Sequence, residues 1–221
     1  YIAMDGTFEE YLARFSGKTR STLRRKARKF AAADGGELDV RAFRSRSEVA
    51  RFLEIALPLS AKTYQSRLLD AGLPEGEAAR QEMLDRAEAG NMRCFLLFLA
   101  GEPVAYLALP VEGKTLVYAH LGYDPAHAAL SPGTVLQMEA LRMLFGEERF
   151  RYFDFTEGDG THKALFGTDS MACCSFVLLR TTPANRILLG ARSGFDAVVA
   201  WAKARMQGKG ALASARKFLR A

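Results

Sequence analysis

Apolar positions along this chain recur with two periods. Phe8, Tyr11, Leu12 and Phe15 stand at i, i+3, i+4 and i+7, one face of a helix that Gly17 ends. A second helix is predicted over residues 18–33, with Leu23, Ala27 and Phe30 as its apolar stripe and Gly35-Gly36 as its stop. Residues 38–43 alternate and read as a strand. Ser47 suits the N-cap of a helix from Glu48 to about Leu69, which Pro58 kinks or splits. A further helix follows Pro74 and runs up to Gly90. The period then changes to two. Strands are predicted over 92–99, 103–110 and 114–123, joined by Ala100-Gly101-Glu102 and Val111-Glu112-Gly113, turns short enough to make an antiparallel meander. After Asp124-Pro125 and a loop, a helix from about Gly133 to Phe145 is apolar on most sides and is expected to be buried. A strand at 151–155, a short helix near 162–166, a last strand at 171–180 and a long helix from Thr182-Pro183 complete the order. In that last helix Ile187, Leu188, Ala191, Phe195, Val198, Val199 and Ala202 are expected to face inward, and the basic stretch from Lys203 to Arg220 to be a loosely held helix.

This order predicts a mixed α/β (α+β) chain with one central, mostly antiparallel sheet flanked by helices. It divides into N-terminal helices over 1–36, a core over 37–182, and a C-terminal helix with a basic tail over 183–221. A length of 221 residues suits one domain with terminal extras, or two very small ones. The three cysteines, Cys94, Cys173 and Cys174, are too few for a disulfide scaffold, and no Cys/His cluster has zinc spacing, so no metal is expected. There is no run of roughly 18 apolar residues and no signal peptide, which points to a soluble, cytoplasmic protein. The chain opens at Tyr1 and not at Met, as a fragment or trimmed chain would. Its net charge of +6 is unevenly spread. From Arg14 to Lys29 there are eight basic residues and no acid, a field that attracts phosphate-bearing or acidic partners, or an anionic membrane surface. A solvated amphipathic helix explains the same run. No aromatic interleaving supports stacking on single-stranded nucleic acid.

The junction of the strand at 114–123 with the apolar helix carries the clearest chemistry. A helix N-terminus offers unbonded N–H groups and about half a positive charge. Gly133 allows close backbone approach, Pro132 fixes the entry, and Ser131 and Thr134 add hydroxyls, so residues 131–134 form a candidate diphosphate cradle. The same residues also read as an ordinary loop and cap.

A meander of three strands, a loop, a buried helix and a strand is the core order of the N-acetyltransferase fold. The stretch from about Lys18 to Ser175 resembles the GNAT-type acetyltransferase domain of CelD-like proteins. These are associated with cellulose and other exopolysaccharide biosynthesis and are distantly related to the FemAB peptidyltransferases. The resemblance rests on Arg24-Arg25-Lys26-Ala27-Arg28-Lys29, Tyr123-Asp124-Pro125, Leu130-Ser131-Pro132-Gly133-Thr134-Val135-Leu136, and Tyr152-Phe153-Asp154-Phe155 followed by Gly158, Gly160 and His162-Lys163-Ala164-Leu165-Phe166-Gly167. It covers about two thirds of the chain. The family usually has Tyr where His162 stands, and its proteins often carry an additional N-terminal half. The resemblance implies acyl transfer from acetyl-CoA or another acyl-CoA to an amine or hydroxyl of a sugar- or peptide-linked acceptor. It places the pantetheine arm on the edge at Leu121, Gly122 and Tyr123, and the diphosphate on Gly133 and its neighbours.

Acyl transfer needs a deprotonated nucleophile, a polarised carbonyl and a protonated leaving thiolate. His120, with an ordinary pKa of about 6.5, suits a general base. It shares a predicted face with Leu116 and Tyr118, so it also reads as a half-buried sheet histidine. Asp154, between Phe153 and Phe155, needs a partner, which Lys163, His162 or a substrate amine could supply. Lys163 suits a phosphate or Asp154, and His162 an acid or base; both also read as solvated first-turn residues. Asp159 and Glu157 suit a cationic acceptor. Tyr123 is the phenol that would protonate the thiolate. Two other readings stay open. One is a FemAB-like transferase that draws on aminoacyl-tRNA, which the basic helix would suit. The other is a catalytically silent binding module, since the more usual Arg/Gln-x-x-Gly-x-Gly/Ala loop is absent.

Overall fold

A computed structural model describes residues 1–63, 72–158, 160–174, 176 and 178–207. They form β1 (Ile2–Ala3), α1 (Phe8–Ala13), α2 (Gly17–Ala33), β2 (Asp39–Phe43), α3 (Arg46–Lys62), α4 (Glu77–Glu88), β3 (Met92–Leu99), β4 (Glu102–Glu112), β5 (Thr115–Val117), β6 (His120–Tyr123), a 3-10 turn (Pro125–Leu130), α5 (Pro132–Phe145), β7 (Tyr152–Asp154), α6 (Thr161–Phe166) and α7 (Pro183–Gln207). Two compact units result, 1–171 and 172–221. The part of the third predicted helix beyond Thr63, Asp159 and the tail from 208 lie outside the described residues.

The first unit is a seven-stranded sheet in the order β1-β7-β5-β4-β3-β2, with β6 also on β4. All pairings are antiparallel except β5 with β7. Alternation along β3 and β4 sends Phe95, Leu97, Leu107 and Leu109 into one core, with Leu23 and Phe30 of α2 and Val135, Leu136 and Leu141 of α5. The opposite face, Cys94, Leu96, Phe98, Tyr106 and Ala108, packs on Phe52, Leu53 and Ala56 of α3 and on Met83, Leu84 and Ala87 of α4. β3 and β4 are therefore buried on both faces, which is why they read as almost unbroken apolar runs.

Four sequence expectations change. The cap of α3 is Ser45, not Ser47. Its hydroxyl accepts the Glu48 N–H while the Glu48 carboxylate reaches back to the Ser45 N–H, a reciprocal capping box. Ser45→Ala is expected to cost about 1 kcal/mol in chemical denaturation, whereas Ser47→Ala should be nearly neutral. Second, the strand predicted at 114–123 is broken into β5 and β6. Third, no strand forms among the described residues of 171–180. β1 occupies the outer edge of β7 through Ile2↔Phe153 and Ala3↔Tyr152, so β7 has no free edge for a later strand. Fourth, Ile187, Leu188, Phe195 and Val198 of α7 are exposed, not inward. The helical period of a sequence marks an apolar stripe without showing what covers it.

Candidate active site

The break between β5 and β6 shapes the candidate site. β4 pairs with β5 through Val111↔Leu116 and with β6 through Ala108↔His120. Between those pairs β4 supplies Leu109 and Pro110, while the opposing strand supplies Val117, Tyr118 and Ala119. The extra residue is a bulge, and it inverts the alternation. Leu116 and Tyr118 face the α5 side, but beyond the bulge Leu121 and Tyr123 take over that side. His120 and Gly122 turn instead towards α3, where Gly122 abuts Tyr106. The expected shared face of His120 with Leu116 and Tyr118 is thus corrected.

At the same bulge the sheet splits. Tyr118 N–H still donates to the Asp154 carbonyl at 2.8 Å, but among the described residues β6 pairs only with β4. Among the described residues no ladder joins β6 to residues 155–158, so the two segments part there in a wedge. Asp124 N–H donates to Val104 O at 2.9 Å, and bonded pairs in an antiparallel ladder recur every second residue. Gly122 and His120 therefore direct their backbone groups to β4, and Leu121 and Tyr123 direct theirs to the open edge.

α5 begins at the mouth of this wedge. Ser131 is left-handed (φ 56°, ψ 48°), and its carbonyl accepts the Thr134 and Val135 N–H groups, each at 3.1 Å. As the second helical residue, Gly133 has no carbonyl within α5 for its N–H. Gly133 is also a packing residue. A Cβ there would lie 3.1 Å from Leu121 Cδ2 and 3.2 Å from Tyr123 Cδ1, so its bareness seats α5 on β6. The basic helix α2 crosses this end: Lys26 Nζ lies 3.4 Å from Thr134 Oγ1, and Lys29 Nζ donates to Ala129 O at 3.0 Å. A cation thus stands beside the candidate cradle, which gives the basic run of α2 a place in the fold.

His120 is half-buried, and burial lowers its pKa, partly offset by a bond to the Gly72 backbone that raises it. Nδ1 has no partner, so the bond to Gly72 belongs to Nε2. With Nε2 carrying the proton, Nδ1 holds an unengaged lone pair. On the other face, His162 packs against Tyr118, Phe155 and Phe166 at ring distances of 6.0, 5.9 and 4.7 Å. Its pKa is lowered by burial, then by Lys26 and Lys163. Burial raises the Tyr118 phenol, which stays protonated and donates to Gln137 Oε1 at 3.4 Å. Gln137 is fully buried on α5 and its Nε2 has no partner. Two unpartnered buried polar atoms therefore flank one bulge, one on each face of the sheet.

Asp154 and Lys163 do not pair. Asp154 Oδ1 accepts the Thr156 N–H at 2.8 Å, and Lys163 Nζ donates to the carbonyls of Thr156, at 3.4 Å, and Glu157. Together they fix the turn at Thr156 (φ 62°), the far wall of the wedge. The structure thus gathers His120, Leu121, Gly122, Tyr123 and Ser131 to Thr134 on one strand and helix start, with Asp154, His162 and Lys163 across the gap. Tyr118, Gln137 and Lys26 join them without having been singled out. The readable signal was Gln137, a lone amide between Leu136 and Met138 on a helix otherwise apolar there.

A family described as "Acetyltransferase (GNAT) domain" matches residues 17–164, and the chain belongs to it. The fold is that of an N-acetyltransferase, with a mostly antiparallel sheet between helices. Solved structures similar to it include an aminoglycoside acetyltransferase from an uncultured soil metagenomic sample in complex with sisomicin (13% identity, 65% of this chain and 97% of that one, TM-score 0.45). A second aminoglycoside acetyltransferase from such a sample is 18% identical over 65% of this chain and 99% of that one, with TM-score 0.46. FemX is 15% identical over 72% of this chain and 52% of its own length, with TM-score 0.49. Among curated proteins no sequence match was found.

Proposed function

We propose that this chain transfers an acetyl or other acyl group from acyl-CoA to an amine or hydroxyl on a sugar- or peptide-linked acceptor, in exopolysaccharide or cell-envelope synthesis of the CelD-like kind. One observation carries the reading: bulge, open β6 edge and α5 N-terminus follow one another along a single strand and helix. The diphosphate would rest on the N–H of Gly133 and the hydroxyls of Ser131 and Thr134, with Lys26 adding a charge-assisted bond. The pantetheine amides would pair with the open groups of Leu121 and Tyr123. The thioester would then reach the bulge, between His120 on the α3 side and Tyr118 and His162 on the α5 side.

His120 Nδ1 takes the acceptor proton, since desolvation keeps the ring neutral near pH 7. Tyr118, protonated at the bulge, is better placed to return a proton to the leaving thiolate than Tyr123, whose ring lies beside Gly133 at the diphosphate end. Lys163 and Asp154 hold the opposite wall.

Titration calorimetry with acetyl-CoA tests the reading. The unmodified chain should bind, and Lys26→Ala should weaken binding about tenfold or more, the value of a hydrogen bond to a charged group. Absence of binding would overturn the acyl-CoA reading. The position of α2 across the cradle then favours a FemAB-like transferase using aminoacyl-tRNA, whose binding would fall steeply with salt.

A further inference from the structure

The second unit carries an exposed apolar surface of its own. α7 is locally well specified: Thr182 Oγ1 accepts the Asn185 N–H at 3.2 Å, and Pro183 takes the first helical position. At 100° per residue, Ile187, Leu188, Ala191, Phe195 and Val198 fall within one arc, with Arg186 outside it on one side and Arg192 bordering the other. The arc faces water. Ile187 is 74%, Phe195 68% and Val198 62% exposed. A contiguous exposed apolar stripe on a folded helix marks an interaction surface.

Charge identifies its partner. From Arg180 to Ala221 there are nine basic residues and one acid, Asp196, a balance of +8. The chain total is +6, so residues 1–179 carry −2. Residues 180–221 are thus a strongly basic stretch, as residues 14–29 are, and it is this one that bears the apolar arc. A second copy would set +8 against +8, which opposes association through this face. No helix of the described residues is long and apolar enough to cross a membrane. An apolar arc on one side only, with a strong positive balance, is what a helix lying in the plane of an anionic bilayer needs.

We propose that α7 docks the chain on a membrane surface rich in anionic lipid, its apolar arc among the acyl chains and its basic residues at the headgroups. Trp201 is the only tryptophan of the chain and lies on α7, so its emission reports on this helix alone. The full chain is mixed with vesicles of phosphatidylcholine, with or without phosphatidylglycerol. Flotation and a blue shift of Trp201 are expected with the phosphatidylglycerol vesicles, weakening as salt rises. Removing one basic residue near the surface, as in Arg186→Ala, should weaken binding about fivefold. Phe195→Glu should abolish flotation while acetyl-CoA binding and far-ultraviolet helicity persist, and Val198→Gln provides a milder second variant. Failure to float with phosphatidylglycerol vesicles would overturn the proposal. So would flotation indifferent to both apolar substitutions, or a dimer in sedimentation velocity that Phe195→Glu dissociates.

Discussion

His120→Gln is expected to lower kcat/KM by about 10²–10⁴, the usual contribution of a general base, while leaving acetyl-CoA affinity nearly unchanged. The measurement is thiol release from acetyl-CoA with an amino-sugar acceptor. Glutamine keeps much of the ring's volume and can still donate to the Gly72 carbonyl, so the loss reads on the Nδ1 lone pair. The pH profile supplies the sign. A base works when neutral, and burial lowers the His120 pKa below the ordinary value of about 6.5. Activity of the unmodified chain should therefore hold from pH 7 downward and fail only below the usual histidine range. In His120→Gln that acid limb should vanish. If it persists there and vanishes in His162→Gln, the base is His162 and the assignment of the two faces is reversed. The same lowered pKa means that the unfolded chain binds the proton first, so stability also falls as pH drops through about 6.5. The profile is therefore taken where the melting temperature is constant.

Gly122→Ala should destabilise the fold by about 1–3 kcal/mol, the cost of overpacking a filled core. The added Cβ would lie 2.5 Å from Cε1, Cζ and the hydroxyl oxygen of Tyr106. The ring has little room to retreat. It is fully buried, its hydroxyl shares a hydrogen bond with Ser60 at 3.0 Å, and Ser60 Oγ accepts the Leu73 N–H at 2.8 Å. A double-mutant cycle with Tyr106→Ala isolates the contact in urea denaturation. In the Tyr106→Ala background Gly122→Ala should cost almost nothing. An equal cost in both backgrounds would show that the ring is not the cause.

What was legible in the sequence was local. The helix start at Ser131 to Thr134 could be read because proline and glycine are neighbours in the chain there. The meander was readable from its turns. The bulge was not, because Tyr118 and Ala119 sit comfortably in a strand and a single extra residue leaves no compositional mark. That one residue turned His120 to the other face. The strand expected at 171–180, absent among the described residues, failed for a different reason. The edge of β7 was taken by Ile2 and Ala3, far earlier in the chain, and such competition depends on pairing, not on propensity. The cap of α3 was readable, since Ser45 stands three residues before Glu48, but Ser47 was the nearer hydroxyl to the apolar run.

The inversion at the bulge has a kinetic corollary. With His120 on the α3 side and Tyr118 on the α5 side, the two groups stand on opposite faces of the sheet at one bulge. On the proposed roles, acceptor and acyl donor would approach that bulge from opposite faces, so neither would have to leave before the other arrives. Such a geometry favours a sequential mechanism through a ternary complex, with intersecting double-reciprocal lines, over one in which the protein itself carries the acyl group between two visits to a shared pocket.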